Sequence, residues 1–121
     1  METQLRILVV EDEPDSRVLI SRILAGAYDV KVSNSAPEAM EAFGDFDPHI
    51  VLTDIRMPGQ YDGLVLLKKI KELSPDVLVI IVTGYGDKTT AIEAIRGGAF
   101  DFIEKPFRHE QLKYVIERAF R

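Results

Sequence analysis

The sequence predicts an α/β fold: a single domain over residues 1–121 with a five-stranded parallel sheet and helices on both of its faces. Two patterns point there. Short apolar runs alternate five times with amphipathic stretches whose apolar residues recur at three- and four-residue spacing, and strand followed by helix, repeated, is the signature of a parallel sheet. The third and fourth runs, Ile50-Val51-Leu52 and Val77 to Val82, are apolar without alternation, as strands buried on both faces should be, which makes them central.

In chain order, strands are expected over Leu5–Val10, Tyr28–Ser33, His49–Thr53, Val77–Val82 and Ala99–Ile103. Helices are expected over Pro14–Leu24, Pro37–Phe43, Gly63–Leu73, Lys88–Arg96 and Phe107–Phe120. Asp12 is the expected cap of the first helix, with Pro14 in its first turn, and Ser35 with Pro37 does the same for the second. Gly26, Gly44 and the Gly97-Gly98 pair stand where helices should stop. Five such units fill the chain, leaving no room for a helix-turn-helix or an ATPase domain.

Composition excludes several classes of function. The chain has 121 residues and no cysteine, so a disulfide framework or a cysteine-built zinc or iron–sulfur site is ruled out. A chain this long buries roughly two-thirds of its unfolded surface, enough for a core without a metal or disulfide. The net charge of −5 and the lack of a basic stripe argue against direct DNA binding as the main activity. No apolar run approaches the roughly 18 residues of a membrane span. Met1-Glu2-Thr3-Gln4 lacks the basic start of a signal peptide, so the cytoplasm is the expected compartment.

In such a sheet, ligands collect at the carboxyl ends of the strands, near the point where strand order reverses. The first strand ends in Glu11-Asp12-Glu13, the third in Thr53-Asp54, the fourth in Thr83-Gly84 and the fifth in Glu104-Lys105-Pro106. With the first, third, fourth and fifth strands as neighbours, Asp12, Asp54, Thr83 and Lys105 line one rim at a spacing of ~4.8 Å. Lys105 then crosses about two spacings, ~10 Å, to approach Asp54, within reach of its long stem. Clustered carboxylates call for protonation or a hard divalent cation, and Mg2+ suits an oxygen-only ligand set. A carboxylate beside that metal and a lysine is a nucleophile toward a phosphoryl group, whose charge needs a metal, an ammonium and a hydroxyl. His49 and His109 fall away from the rim.

Over its whole length the chain resembles the receiver domain of two-component response regulators. The resemblance rests on the acidic pair Glu11 and Asp12, on Asp54, on Thr83 and on Lys105-Pro106, in that order across five βα units. The segments Asp54-Ile55-Arg56-Met57-Pro58 and Gly98 to Phe107 are close to the family's wording. It implies a flavodoxin-like (βα)5 fold with strand order 2-1-3-4-5. Asp54 would accept a phosphoryl group from a sensor histidine kinase or phosphotransfer protein. Glu11, Asp12, Asp54 and the backbone carbonyl of Arg56 would hold Mg2+. Lys105 and Thr83 would each take a phosphoryl oxygen, Thr83 and Phe102 would form the switch, and Lys105-Pro106 would be cis.

The resemblance further implies that the face built from the fourth helix, fifth strand and fifth helix controls an output domain or effector, with a phosphorylation-dependent homodimer as another partner. The chain would be a signalling domain that catalyses only its own aspartyl phosphorylation and dephosphorylation. The alternative is a receiver-like interaction module that is never phosphorylated.

Four details depart from the family or mark a subgroup. The loop Met57 to Gly63 is one residue longer than the commonest spacing, and the switch aromatic is Phe102 where many members have Tyr. Arg56 and Tyr85 stand where family members tune phosphoryl lifetime, and the bulk of Tyr85 is expected to shield the group from water. The wording from Thr83-Gly84-Tyr85-Gly86-Asp87 to Lys105-Pro106-Phe107 looks most like receivers fused to enhancer-binding activators or hybrid kinases. A flavodoxin-like electron carrier would need a phosphate-cradling loop where three acids stand. A dinucleotide-binding domain would need Gly-x-Gly-x-x-Gly there, and an aspartyl phosphatase Asp-x-Asp.

Overall fold

In a computed structural model describing residues 4–56, 62–84 and 88–120, the apolar runs become strands β1 (Arg6–Val10), β2 (Asp29–Ser33), β3 (Ile50–Asp54), β4 (Leu78–Thr83) and β5 (Asp101–Glu104). The amphipathic stretches become helices α1 (Pro14–Leu24), α2 (Ala36–Phe46), α3 (Gly63–Leu73), α4 (Lys88–Arg96) and α5 (His109–Ala119). All strand pairs are parallel, in the order β2-β1-β3-β4-β5. The order reverses between β1 and β3, which puts the switch point, and the carboxyl ends of both strands, beside each other.

Strand alternation sorts the core into two layers. Ile7 and Val9 of β1, Ile50 and Leu52 of β3, and Ile80 and Val82 of β4 meet α1 and α5 through Ile20, Ile23, Leu112 and Ile116. Leu8, Val10, Val51, Val79 and Ile81 point the other way, onto Phe43 of α2, Leu66, Leu67 and Ile70 of α3, and Ala94 of α4. β3 is buried along its whole length, and β1 and β4 all but their first residues, whereas β2 and β5 are half-open edges. The central trio cannot slip register without moving its side chains into the wrong layer, so the rim it carries is fixed. Among the described residues, no helix is long and apolar enough to cross a membrane.

Two expectations about helix ends are corrected. Asp12 does not cap α1: the cap position is Glu13, in extended conformation, with no side-chain hydrogen bond to the helix. Pro14 follows at once, and the loop before it is held instead by Arg17, whose Nη1 donates to the carbonyls of Glu11 and Asp12 at 2.9 Å each. Nor does Gly44 end α2, which runs on to Phe46. Phe46 packs on the core, and Asp47 takes the left-handed cap, φ 51, with its N–H on the Phe43 carbonyl. Gly26, φ +84, and Gly98, φ +104, do follow their helices. Ser35 accepts from the N–H of Glu38 at 3.2 Å, as expected of a cap. α5 starts at His109 rather than Phe107.

Ser35→Ala should therefore lower the free energy of unfolding by about 1 kcal/mol in urea denaturation. Asp12→Ala, measured with a chelator present, should leave it unchanged or raise it, because no cap is lost and one of several like charges is removed.

Candidate functional site

The rim is assembled by backbone bonds that carry each strand one residue past its end. The N–H of Glu11 donates to the Ser33 carbonyl at 3.0 Å, that of Ile55 to Val82 at 3.1 Å, and that of Lys105 to Thr83 at 2.8 Å. Glu11, Asp54 and Thr83 are consequently buried polar residues, with Asp54 the most open at 9% exposure. α3 closes in from the side, its Asp62 cap accepting from the N–H groups of Leu64 and Val65 at 3.0 Å each. Gly63 passes so near that a Cβ on it would lie 2.5 Å from the Asp54 carbonyl oxygen. The Gly63 N–H donates to the Ile55 carbonyl at 2.8 Å, so the strand bearing Asp54 and the helix after it are fastened together.

Lys105 reaches across the rim as its length suggested. Its ammonium donates to Asp54 Oδ2 at 2.9 Å and to Glu11 Oε1, and lies 3.8 Å from the exposed carboxylate of Glu13. The second oxygen of Asp54, Oδ1, accepts the N–H of Arg56 at 3.2 Å. The side chain of Asp54 is thereby oriented at both oxygens while 12% of it stays accessible. Burial pushes the Glu11 carboxyl up from 4.5 to about 7, helped by the neighbouring Asp54 carboxylate and opposed by Lys105. Burial works against the Lys105 charge, but its hydrogen bonds to Glu11 and Asp54 outweigh that and raise its pKa.

Glu11, Asp12 and Asp54 offer carboxylate oxygens that lie within 4.8 Å of one another. Among the described residues, Glu11 Oε2 and Thr83 Oγ1 are buried with no hydrogen-bond partner. An unpaired buried oxygen is costly, and three carboxylates of this kind make the donor set a hard divalent cation takes. The pocket fits such an ion, and the free hydroxyl of Thr83 fits an acceptor brought in with it.

The expected residues thus come together from four strand ends: Glu11, Asp12, Asp54, Thr83 and Lys105. Arg56 sits beside Asp54, the Lys105–Pro106 peptide is cis, and Phe102 faces outward on β5, 37% exposed. Tyr85 and the lengthened loop at 57–61 lie outside the described residues. His49 is at the opposite end of the sheet, its Nδ1 accepting the N–H of Arg6 at 2.9 Å. Sequence reasoning missed two contributors. Gly63 stood only at the start of the third expected helix, and Arg17 lay unremarked within the first, although its place a few residues after three acids was a signal.

A five-stranded sheet in this order with an acid-and-lysine rim defines the class: a receiver-type signalling domain. The family model for the response regulator receiver domain matches residues 7–117, and the chain belongs to that family. It is 38% identical over 115 residues to the regulatory protein AtoC of Escherichia coli (strain K12), covering 94% of this chain and 25% of that protein. It is 40% identical to the nitrogen assimilation regulatory protein NtrX of Azorhizobium caulinodans, covering 93% of this chain and 25% of NtrX. The chain spans about a quarter of the length of these relatives. The crystal structure of the receiver domain of NtrX from Brucella abortus superposes with a TM-score of 0.90 at 43% identity, covering 93% of this chain and 96% of that one. The phosphoacceptor role is the standard function of this domain.

The raised Glu11 pKa has a measurable sign. A carboxyl protonated more readily in the folded than in the unfolded state contributes stability that is complete below 4.5 and lost as pH rises through about 7. With a chelator present, the urea midpoint should fall across that window, and Glu11→Gln should flatten the fall.

Proposed function

We propose that Asp54 is the residue that takes the phosphoryl group, from a sensor histidine kinase or phosphotransfer protein. The observation that carries this reading is the Lys105 ammonium on Asp54 Oδ2, with a carboxylate oxygen on one side and a hydroxyl on the other that have no hydrogen-bond partner among the described residues. A carboxylate oxygen of Asp54 attacks the phosphorus of the donor phosphohistidine. A P–O bond forms, the P–N bond breaks, and its electron pair returns to the donor imidazole. Glu11, Asp12 and Asp54, with the backbone carbonyl of Arg56, would hold Mg2+, which when bound would neutralise charge on the phosphoryl oxygens. Lys105 keeps its proton and turns from carboxylate to phosphoryl oxygen, and Thr83 donates its hydroxyl to another. The domain acts on no substrate other than its own aspartate.

The output follows from where Thr83 sits. It ends β4, and its carbonyl holds Lys105 at the end of β5, so drawing its hydroxyl toward a phosphoryl group acts on both strands that flank α4. Phe102 lies on that side, bordering an apolar groove of about 460 Å3 that it shares with Ala91, Ile92 and Ile95. Ile92, Ile95 and Tyr114 are also exposed. This α4-β5-α5 face is the surface for an output domain, an effector or a second copy of the chain, and Phe102 is the aromatic that changes place on it. Relatives that carry names such as DNA-binding transcriptional regulator NtrC favour a transcriptional output in the cytoplasm, delivered by another part of the protein rather than by this acidic domain.

Incubation with a small acyl phosphate and Mg2+ should add one phosphoryl group by intact-mass spectrometry, and Asp54→Asn should prevent it. A wild-type chain that gains no magnesium-dependent mass would favour an unphosphorylated interaction module instead. Thr83→Ala should still gain the mass but lose the phosphorylation-dependent change at Phe102, followed by NMR of its ring. An unaltered Phe102 response in that variant would remove Thr83 from the switch.

A further inference from the structure

Two of the three acids in the pocket, Glu11 and Asp12, belong to the short loop between β1 and α1. The loop is anchored at its start by the Glu11 N–H on Ser33, but α1 supplies no side-chain cap to hold its far end. That task falls to Arg17, one turn into α1. A single guanidinium nitrogen, Nη1, spends both hydrogens on the carbonyls of Glu11 and Asp12, at 2.9 Å each. Its backbone is secured in turn by its own N–H on the Glu13 carbonyl at 3.0 Å. Fixing a carbonyl fixes its peptide plane, and with it the direction in which the attached side chain leaves the backbone. Two adjacent planes pinned by one guanidinium nitrogen fix the directions in which the side chains of Glu11 and Asp12 leave the backbone.

We propose that Arg17 is a positioning residue, which sets Glu11 and Asp12 for the divalent cation by clamping their backbone carbonyls. The inference rests on the reading that these acids hold Mg2+. Its consequence has a sign opposite to that of simple electrostatics. A cation removed from beside an anionic pocket should let Mg2+ bind more tightly, whereas loss of a clamp on the ligands should make it bind more weakly.

Mg2+ titrations by calorimetry on wild type, Arg17→Met and Arg17→Lys separate the two, each run well below the melting temperature with folding verified by circular dichroism. Arg17→Met should bind Mg2+ about tenfold more weakly, the loss typical of an outer partner of a metal ligand. Arg17→Lys, which keeps the charge but carries its nitrogen one bond short of Nη1, should fall between that variant and wild type. Binding by Arg17→Met that equals or exceeds wild type overturns the proposal. Should Arg17→Met fail to fold, Arg17→Lys decides: weaker binding supports the clamp, and equal or tighter binding overturns it. If wild type itself binds no Mg2+, the metal reading falls and the inference falls with it. Wild-type binding that survives unchanged in folded Arg17→Met removes the inference alone.

Discussion

Carboxylates crowded at the edge of a sheet repel one another, and the domain is organised around the cation that answers that repulsion. At the 4.8 Å limit that encloses the ligand atoms of Glu11, Asp12 and Asp54, two unit charges cost on the order of 3 kcal/mol at an effective dielectric constant of 20. Lys105 offsets this by lying against Glu11 and Asp54 together. The balance is incomplete. One oxygen of Glu11 has no partner among the described residues, and its carboxyl holds a proton more readily than usual. A site neutralised only in part by its own lysine is one that gains from a metal and from a group that gives the lysine something new to hold.

The rest of the fold can be read as support for that arrangement. Parallel strands buried on both faces deliver their carboxyl ends to a common level, and the reversal of strand order puts the ends of β1 and β3 side by side. Backbone bonds from Glu11, Ile55 and Lys105 extend the ladder just far enough to hold the functional residues. Gly63 lets α3 press against the backbone of Asp54 where any side chain would collide. The edge strand β5 has one end in the pocket, at Lys105, and a side chain, Phe102, on the outer face. In the proposed function, chemistry and partner surface are therefore two ends of one short strand.

Much of this was legible before any coordinates. Periodicity located all five strands and all five helices. Strands β1, β3 and β4 stood out most because a parallel strand buried on both faces has no polar side to obscure its apolar run, whereas the edge strand β5 runs over Asp101–Glu104 rather than Ala99–Ile103. The rim was legible because each strand ends in a polar residue of distinct chemistry, and the stem of Lys105 is long enough to cross two strands. What escaped was local backbone detail. A proline after Glu13 shifted the cap of α1 away from Asp12, and packing of Phe46 carried α2 through Gly44. Arg17 bonds to carbonyls, which every residue has, so its place a few residues after three acids hints at a role but does not define it. Gly63 matters for an approach between segments that sequence spacing does not encode.

The most direct test of the account is a crystal structure of the chain with Mg2+ and beryllium fluoride, which mimics a phosphoryl group on a carboxylate. The account predicts beryllium on a carboxylate oxygen of Asp54, the metal against Glu11 and Asp12, Thr83 Oγ1 bonded to one fluoride, and Lys105 turned from Glu11 to another. Beryllium on a different side chain, or none bound while Lys105 still bridges Glu11 and Asp54, would contradict it.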